Sequence, residues 1–198
     1  MSISVVIAYH SGYGHTARQA RAVASGAASV PGVTAALHDI SALDDVLWQA
    51  LTDAEAIIFG TPTYMGSQSA VFQAFAEASG SVWAQQGWRD KIAAGFTTSA
   101  GVNGDKLNTL SSLAVFAAQH GMHWVSLGLP PGWLYSTVGD VEDLNRLGGF
   151  LGAMAQAPSD AGPDDAPGTA DLRTAEHLGR RVARVAVELR HGRLVGAA

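Results

Sequence analysis

The chain contains no cysteine. That excludes disulfides, thiolate nucleophiles, zinc–cysteine sites and cysteine-ligated iron–sulfur clusters. Long apolar runs are missing as well, so no membrane span is expected. The N-terminus has neither a basic flank nor a signal-like apolar core, and a cytoplasmic location is expected from it. Basic residues are outnumbered, 12 against 17 acidic ones, for a net charge of -5. This balance argues against a nucleic-acid surface and against an anionic-membrane surface. What remains is a chain of 198 residues, 47% of them hydrophobic. That suffices for one well-packed core, and a single domain spanning residues 1–198 is expected.

Short apolar runs alternate with helical patterns along this chain. "ISVVIAY" (3–9) is β-branched and continuous, as a strand buried on both faces should be. "HTARQARAVASGAASV" follows with Ala17, Ala20, Val23 and Ala24 near one helical face. "VTAALHDI" (33–40) reads as a second strand, "ALDDVLWQAL" as a short helix and "AEAIIFG" (54–60) as a third strand. Helical spacing returns in "SQSAVFQAFAEAS" (67–79). "KIAAGFTTSA" (91–100) is a fourth strand, and "DKLNTLSSLAVFAAQHG" (105–121) is an amphipathic helix stopped by Gly121. "MHWVSLGL" (122–129) reads as a fifth strand. Residues 130–170 read as a long irregular stretch, rich in Pro, Gly and Asp at its end. "ADLRTAEHLGRRVARVAVELR" (170–190) closes the chain as a helix. Alternation of this kind predicts parallel pairing with right-handed crossovers. Five such units predict an α/β, doubly wound three-layer sandwich around a five-stranded parallel sheet.

In such a sheet ligands bind beyond the carboxyl ends of the strands. Three loops there combine glycine with hydroxyl residues. "HSGYGHTA" (10–17) opens a helix whose free amides, with Ser11 and Thr16, can hold a phosphate without a lysine. It is neither a Walker A loop, which needs Gly-Lys-Ser/Thr, nor a G-x-G-x-x-G motif, since residue 17 is Ala. Taken alone it is equally an ordinary capped turn. "GTPTYMGSQS" (60–69) places a rigid bend and exposed amides after the third strand, or is a plain turn with Ser67 as helix cap. "TTSAGVNGD" (97–105) can bend round the edge of a planar ligand, or form a surface loop entering a helix at Asn103 or Gly104. Together the three suit a phosphate plus a planar ring. No Gly-x-Ser-x-Gly elbow occurs, which disfavours a serine hydrolase of that type. Gly121 separates His120 from His123, so no metal pair is expected.

"YHSGYGHTARQA" and "IIFGTPTYMGSQSAVFQAF" resemble the flavodoxin-like, WrbA-like NAD(P)H:quinone oxidoreductases. "KIAAGFTTSAG" and "AAQHGM" extend the resemblance over nearly the whole chain. It implies a flavodoxin-like fold with the five-stranded parallel sheet in the order 2-1-3-4-5, bound FMN, and two-electron reduction of quinones by NADH or NADPH. By position, Ser11, Tyr13, Gly14, His15 and Thr16 would hold the FMN phosphate. Pro62, Thr63, Tyr64, Met65 and Gly66 would line the isoalloxazine, and Thr97, Thr98, Ser99, Ala100 and Gly101 would close its other edge. Trp83 matches a tryptophan beside the flavin, and His120 a histidine over its open face, the candidate catalytic residue. The resemblance also implies a homo-oligomer, dimer or tetramer, in which another subunit completes that face. The family usually has Arg-Phe where this chain has Tyr64-Met65, and Gly-Gly-Gly where it reads "GVNG". An FMN, azo or nitro reductase is the nearest alternative, and a flavodoxin-type electron carrier a second.

Overall fold

The computed structural model describes residues 2–196 of the chain. Parallel strands β1 (Ile3–Tyr9), β2 (Val33–Asp39), β3 (Ala56–Tyr64) and β5 (Ile92–Ser99) form the body of the sheet. Side chains alternate across it, as a strand period of two requires. Ile3, Val5 and Ile7 of β1 enter one core and Val6 and Ala8 the other. Helices α1 (His15–Ala28) and α6 (Thr169–Gly196) cover the first face. Helices α2 (Asp45–Asp53), α3 (Ala70–Ala78) and α5 (Lys106–Gln119) cover the second, and a short α4 (Gly80–Ala84) follows α3. The second core is aromatic: Phe59 meets Phe72, Phe75, Trp88 and Phe116 with ring centroids 5.3–6.4 Å apart.

With β6 (His123–Trp124) at one edge, strand order is β2-β1-β3-β5-β6, the expected 2-1-3-4-5 arrangement. The fifth position differs in detail from the sequence reading. Only β6 (His123–Trp124) pairs with the start of β5, at Ile92 and Ala93. The rest of that edge is completed by β7 (Ala153–Gln156), which pairs with Phe96 through Ser99. Residues 125–152 are thus inserted into a split fifth strand, and the stretch read as irregular supplies its second half. Buried Asp171, in the first turn of α6, ties the insertion down. Arg146 donates to both its carboxylate oxygens at 2.7 Å, and the Gln156 N–H donates to Oδ2 at 2.8 Å.

Two further boundaries shift for local reasons. β3 does not run straight into a helix. It turns back through Met65 (φ 48°) and Gly66 (φ 84°) to β4 (Ser67–Gln68), a two-residue hairpin of the primed type. Ser69, not Ser67, then caps α3 by accepting from the Phe72 N–H at 3.2 Å. Likewise α5 opens after Asp105 (φ 56°) rather than at Asn103 or Gly104.

Helices α1 and α6 approach closely at two glycines. A Cβ built on Gly26 would fall 1.9 Å from the Glu176 carbonyl oxygen, and one on Gly179 would fall 1.9 Å from that of Val23. Both obstacles are helix backbone, which cannot step aside as a side chain can. Gly179→Ala should therefore lower stability by about 2–3 kcal/mol through overpacking, although alanine is the better helix former by about 1 kcal/mol. Urea unfolding should show an earlier midpoint at unchanged slope. A stabilised variant would contradict the backbone contact.

Candidate functional site

The carboxyl edge of the sheet gathers four loops, one more than the sequence indicated. The first is the turn between β1 and α1. Ser11 Oγ accepts from the N–H groups of Gly14 and Ala17, each at 3.1 Å, and so caps α1 from three residues before its Gly14 N-cap position. Gly14, at φ 89°, takes the left-handed conformation that permits this loop. The next amides, of His15 and Thr16, are first-turn N–H groups with no carbonyl to meet inside the helix. Thr16 is buried yet lines the cleft. The hydroxyl of Ser11 thus shapes the loop that opens α1, and Thr16 is part of the cleft wall.

The second and third loops stand on a buried hydroxyl network. Thr63 Oγ1 lies 2.8 Å from both Thr97 Oγ1 and Thr109 Oγ1. Thr97 is therefore under the site rather than on its surface. Thr98 Oγ1 donates to Gln19 Oε1 at 2.7 Å, and Gln19 Nε2 donates to the Ala153 carbonyl at 3.2 Å. One buried side chain of α1 thereby joins the ends of β5 and β7. At the rim, Tyr13 and Tyr64 pack edge to face with centroids 6.2 Å apart. Burial, and to a lesser degree Tyr13, raises the Tyr64 phenol above its ordinary value, so it stays neutral.

The fourth loop follows β7. His15 Nε2 pairs with the Ala161 carbonyl at 2.9 Å, and Arg18 donates to the Pro163 carbonyl at 3.0 Å. Between these walls lies a cleft of about 820 Å³. Ten of the expected residues line it: Tyr13, His15, Thr16, Pro62, Thr63, Tyr64, Met65, Thr98, Ser99 and Ala100. Four more were missed in the sequence: Ala157, Ser159, Ala161 and Pro163. Their signal was topological. A segment leaving an edge strand at its carboxyl end must pass the same edge as the other loops.

The remaining expected residues lie elsewhere. Gly66 sits at the hairpin tip, where its carbonyl accepts from Asn108 Nδ2 at 2.8 Å. The Gly101 carbonyl turns inward to Lys106. Trp83 is half exposed on α4, away from the cleft lining. His120 lies away from the cleft of its own chain. Helix α5 runs back from the carboxyl edge and ends where His123 pairs with Ile92, at the amino edge of the sheet. There the His120 ring is enclosed by Trp88 and Phe116, at centroid distances of 4.4 and 4.9 Å. Ser79 Oγ spends its proton on the Ala76 carbonyl, so it accepts from His120 Nε2, 2.9 Å away. His120 is thus the Nε2–H tautomer, with Nδ1 lacking a hydrogen-bond partner. Burial holds its pKa below the ordinary histidine value.

No acidic side chain, lysine or arginine is among the cleft-lining residues. Amides at a helix start, hydroxyls and an uncharged slot suit a phosphate at one end and a neutral planar ring along the walls. Among the described residues no cluster of histidines and carboxylates could hold a metal ion.

With the fold and this cleft in place, comparison with known proteins gives a consistent answer. The family of NADPH-dependent FMN reductases matches residues 1–129. Flavodoxin FldP of Pseudomonas aeruginosa is 42% identical over 192 residues, covering 96% of this chain and 99% of its own. An NAD(P)H dehydrogenase (quinone) of Solidesulfovibrio magneticus is 33% identical over 211 residues, covering 95% of this chain and 100% of its own. The crystal structure of a flavodoxin, WrbA-like protein from Agrobacterium tumefaciens superposes with a TM-score of 0.75 at 44% identity, covering 94% of this chain and 99% of that one. The chain belongs to the flavodoxin-like, WrbA-like FMN-binding oxidoreductases related to the NAD(P)H:quinone oxidoreductases. FMN is its cofactor, and the cleft has the chemistry that FMN requires.

Two outcomes follow from the placement of Ser11 and His120. Ser11→Ala should cost about 1 kcal/mol of stability, as a lost helix cap does, and weaken FMN binding. Thr16→Ala should weaken FMN binding with little change in unfolding midpoint. Fluorescence titration beside thermal melts separates the two. For His120 the folded pKa is depressed, so the unfolded chain binds more protons just below pH 6.5. Its contribution is full above the ordinary value and is lost as pH falls toward the lowered one. His120→Gln should flatten the acid limb of stability, though only in part, since burial also lowers His10 and His177.

Proposed function

We propose that this protein passes two electrons from NADH or NADPH to a quinone, one substrate replacing the other at the same cleft. The observation that carries the reading is the union of a capped helix start with a cleft, lined by no lysine, arginine or carboxylate, large enough for a phosphate and a ring. FMN, when bound, supplies the hydride chemistry, and no protein acid or base is needed for that step. The side chains therefore bind, orient and shield.

Ser11 and Gly14 set the loop on which the amides of Tyr13, His15 and Thr16 and the Thr16 hydroxyl would meet the phosphate. His15, held by the Ala161 carbonyl, keeps the fourth loop closed over that end. Pro62, Thr63 and Tyr64 would flank one edge of the ring, with Met65 and Gly66 forming the hairpin beyond it. Thr98, Ser99 and Ala100 would flank the other, backed by Thr97 and Gly101. The rim of Tyr13, Tyr64 and fully exposed Met65 gives a quinone an apolar approach. A homo-oligomer, dimer or tetramer, fits exposed Trp83, which can meet an open ring face only on another copy. Among the described residues no helix is long and apolar enough to cross a membrane, and a cytoplasmic site of action is part of the proposal.

A carrier role is the second reading, favoured by the 42% identity to a protein named a flavodoxin. Anaerobic addition of NADH or NADPH to the FMN-loaded protein distinguishes the two. The enzyme should lose its visible flavin absorbance within seconds and regain it on adding benzoquinone. Unchanged absorbance with both nucleotides would favour the carrier.

A further inference from the structure

Lys106, one of only two lysines in the chain, is wholly buried at the start of α5. Such a position is doubly unfavourable. Lysine is almost never fully buried, and a cation at a helix amino end opposes the helix dipole. The side chain is nevertheless heavily used. Its Nζ donates to the Gly101 carbonyl, and it reaches those of Val102 and Asn103 at 3.2 and 3.3 Å. Three successive peptides of one loop thus turn their oxygens toward one ammonium. In a trans peptide the N–H points opposite to the C=O, so the N–H groups of residues 102, 103 and 104 are turned away from Nζ. Just upstream, Gln156 Nε2 holds the Ala100 carbonyl at 3.1 Å. The underside of the loop is fixed at four consecutive carbonyls, and its upstream end, Ser99 and Ala100, is cleft wall.

We propose that Lys106 is a positioning residue for FMN: by gathering the carbonyls of Gly101, Val102 and Asn103, its ammonium holds the loop that carries Ser99 and Ala100 in the shape that receives the flavin ring. The inference rests on FMN occupying the cleft. It concerns a residue that touches neither FMN nor substrate.

The charge state of Lys106 gives the idea a distinctive signature. Burial lowers its pKa to about 8, against the pull of Asp171 on α6 and with the help of Arg146 in the insertion. Its own loop adds Asp105, whose side chain lies by Gly66 instead. A neutral amine has two N–H donors for three carbonyls, so the loop loosens as pH rises through 8. The fold responds in the opposite sense. The unfolded chain keeps this proton up to the ordinary value of 10.5, so between 8 and 10.5 the Lys106 contribution to stability rises with pH. A merely structural lysine would not weaken FMN binding while the fold gains stability.

The test is FMN titration by flavin fluorescence at pH 7 and pH 9, with wild type, Lys106→Arg and Lys106→Met. Wild type should bind FMN more weakly at pH 9, by up to about tenfold for one proton titrating near 8. Lys106→Arg, which cannot lose its charge, should retain affinity at both pH values. Lys106→Met should bind about tenfold or more weakly at both, as loss of charge-assisted hydrogen bonds implies. Methionine binding as tightly as wild type at pH 7 would overturn the proposal. So would an arginine variant with the same pH dependence as wild type. If Lys106→Met fails to fold, the comparison of wild type with arginine decides alone. A wild type that does not bind FMN even at pH 7 would overturn the cofactor assignment, and this proposal with it.

Discussion

The Ser11 hydroxyl, accepting from the N–H groups of Gly14 and Ala17, is the contact on which the site turns. It closes the loop between β1 and α1 into a ring and consumes the third amide of the first helical turn. The two amides before it are left facing the carboxyl edge, where the positive end of the helix dipole also lies. The rest of the molecule serves to put this helix end where a ligand can use it. A parallel sheet with β1 between β2 and β3 points α1 at that edge, and close glycine packing against α6 holds the helix in place. On the proposed reading no lysine is needed in this loop, because these groups supply what a phosphate needs.

The split fifth strand adds the second constraint. If β6 continued unbroken, residues 157–163 would have no fixed path over the cleft. Instead β7 pairs with Phe96 through Ser99, and the chain leaving it meets the start of α1 at His15 and Arg18. Gln19, Gln156, Arg146 and Asp171 bind that strand to α1, α6 and the insertion. Each is polar and buried or half-buried, and each is satisfied, which is what lets a short edge strand hold a cleft wall. Lys106 belongs to the same girdle and extends it beneath the loop after β5.

The sheet order and three of the four loops were legible in the sequence, because β-branched runs and Gly-Thr-Pro-Thr punctuation are local signals. The β7 strand was not. "AMAQ" is four residues long and carries no period of its own; its partner on β5 is more than fifty residues away. The hairpin at Met65 escaped notice for a related reason, since a methionine at positive φ contradicts the usual turn preference. His120 shows the opposite case. Resemblance places it over a flavin face that another subunit completes, and the topology keeps it away from the cleft of its own chain. A helix that starts at the carboxyl edge after β5 must end at the amino edge, so its last residue faces away from the cleft in the same chain.

The central claim is that a dianionic phosphate is held at the start of α1 by amides and hydroxyls without a lysine or arginine. Phosphorus NMR of the FMN-loaded protein between pH 5.5 and 8.5 tests it most directly. A phosphate monoester free in water changes shift as it titrates near pH 6. Held by the N–H groups of the first turn, the bound resonance should stay at its dianion position across that range. A resonance that titrates like free FMN would contradict the account.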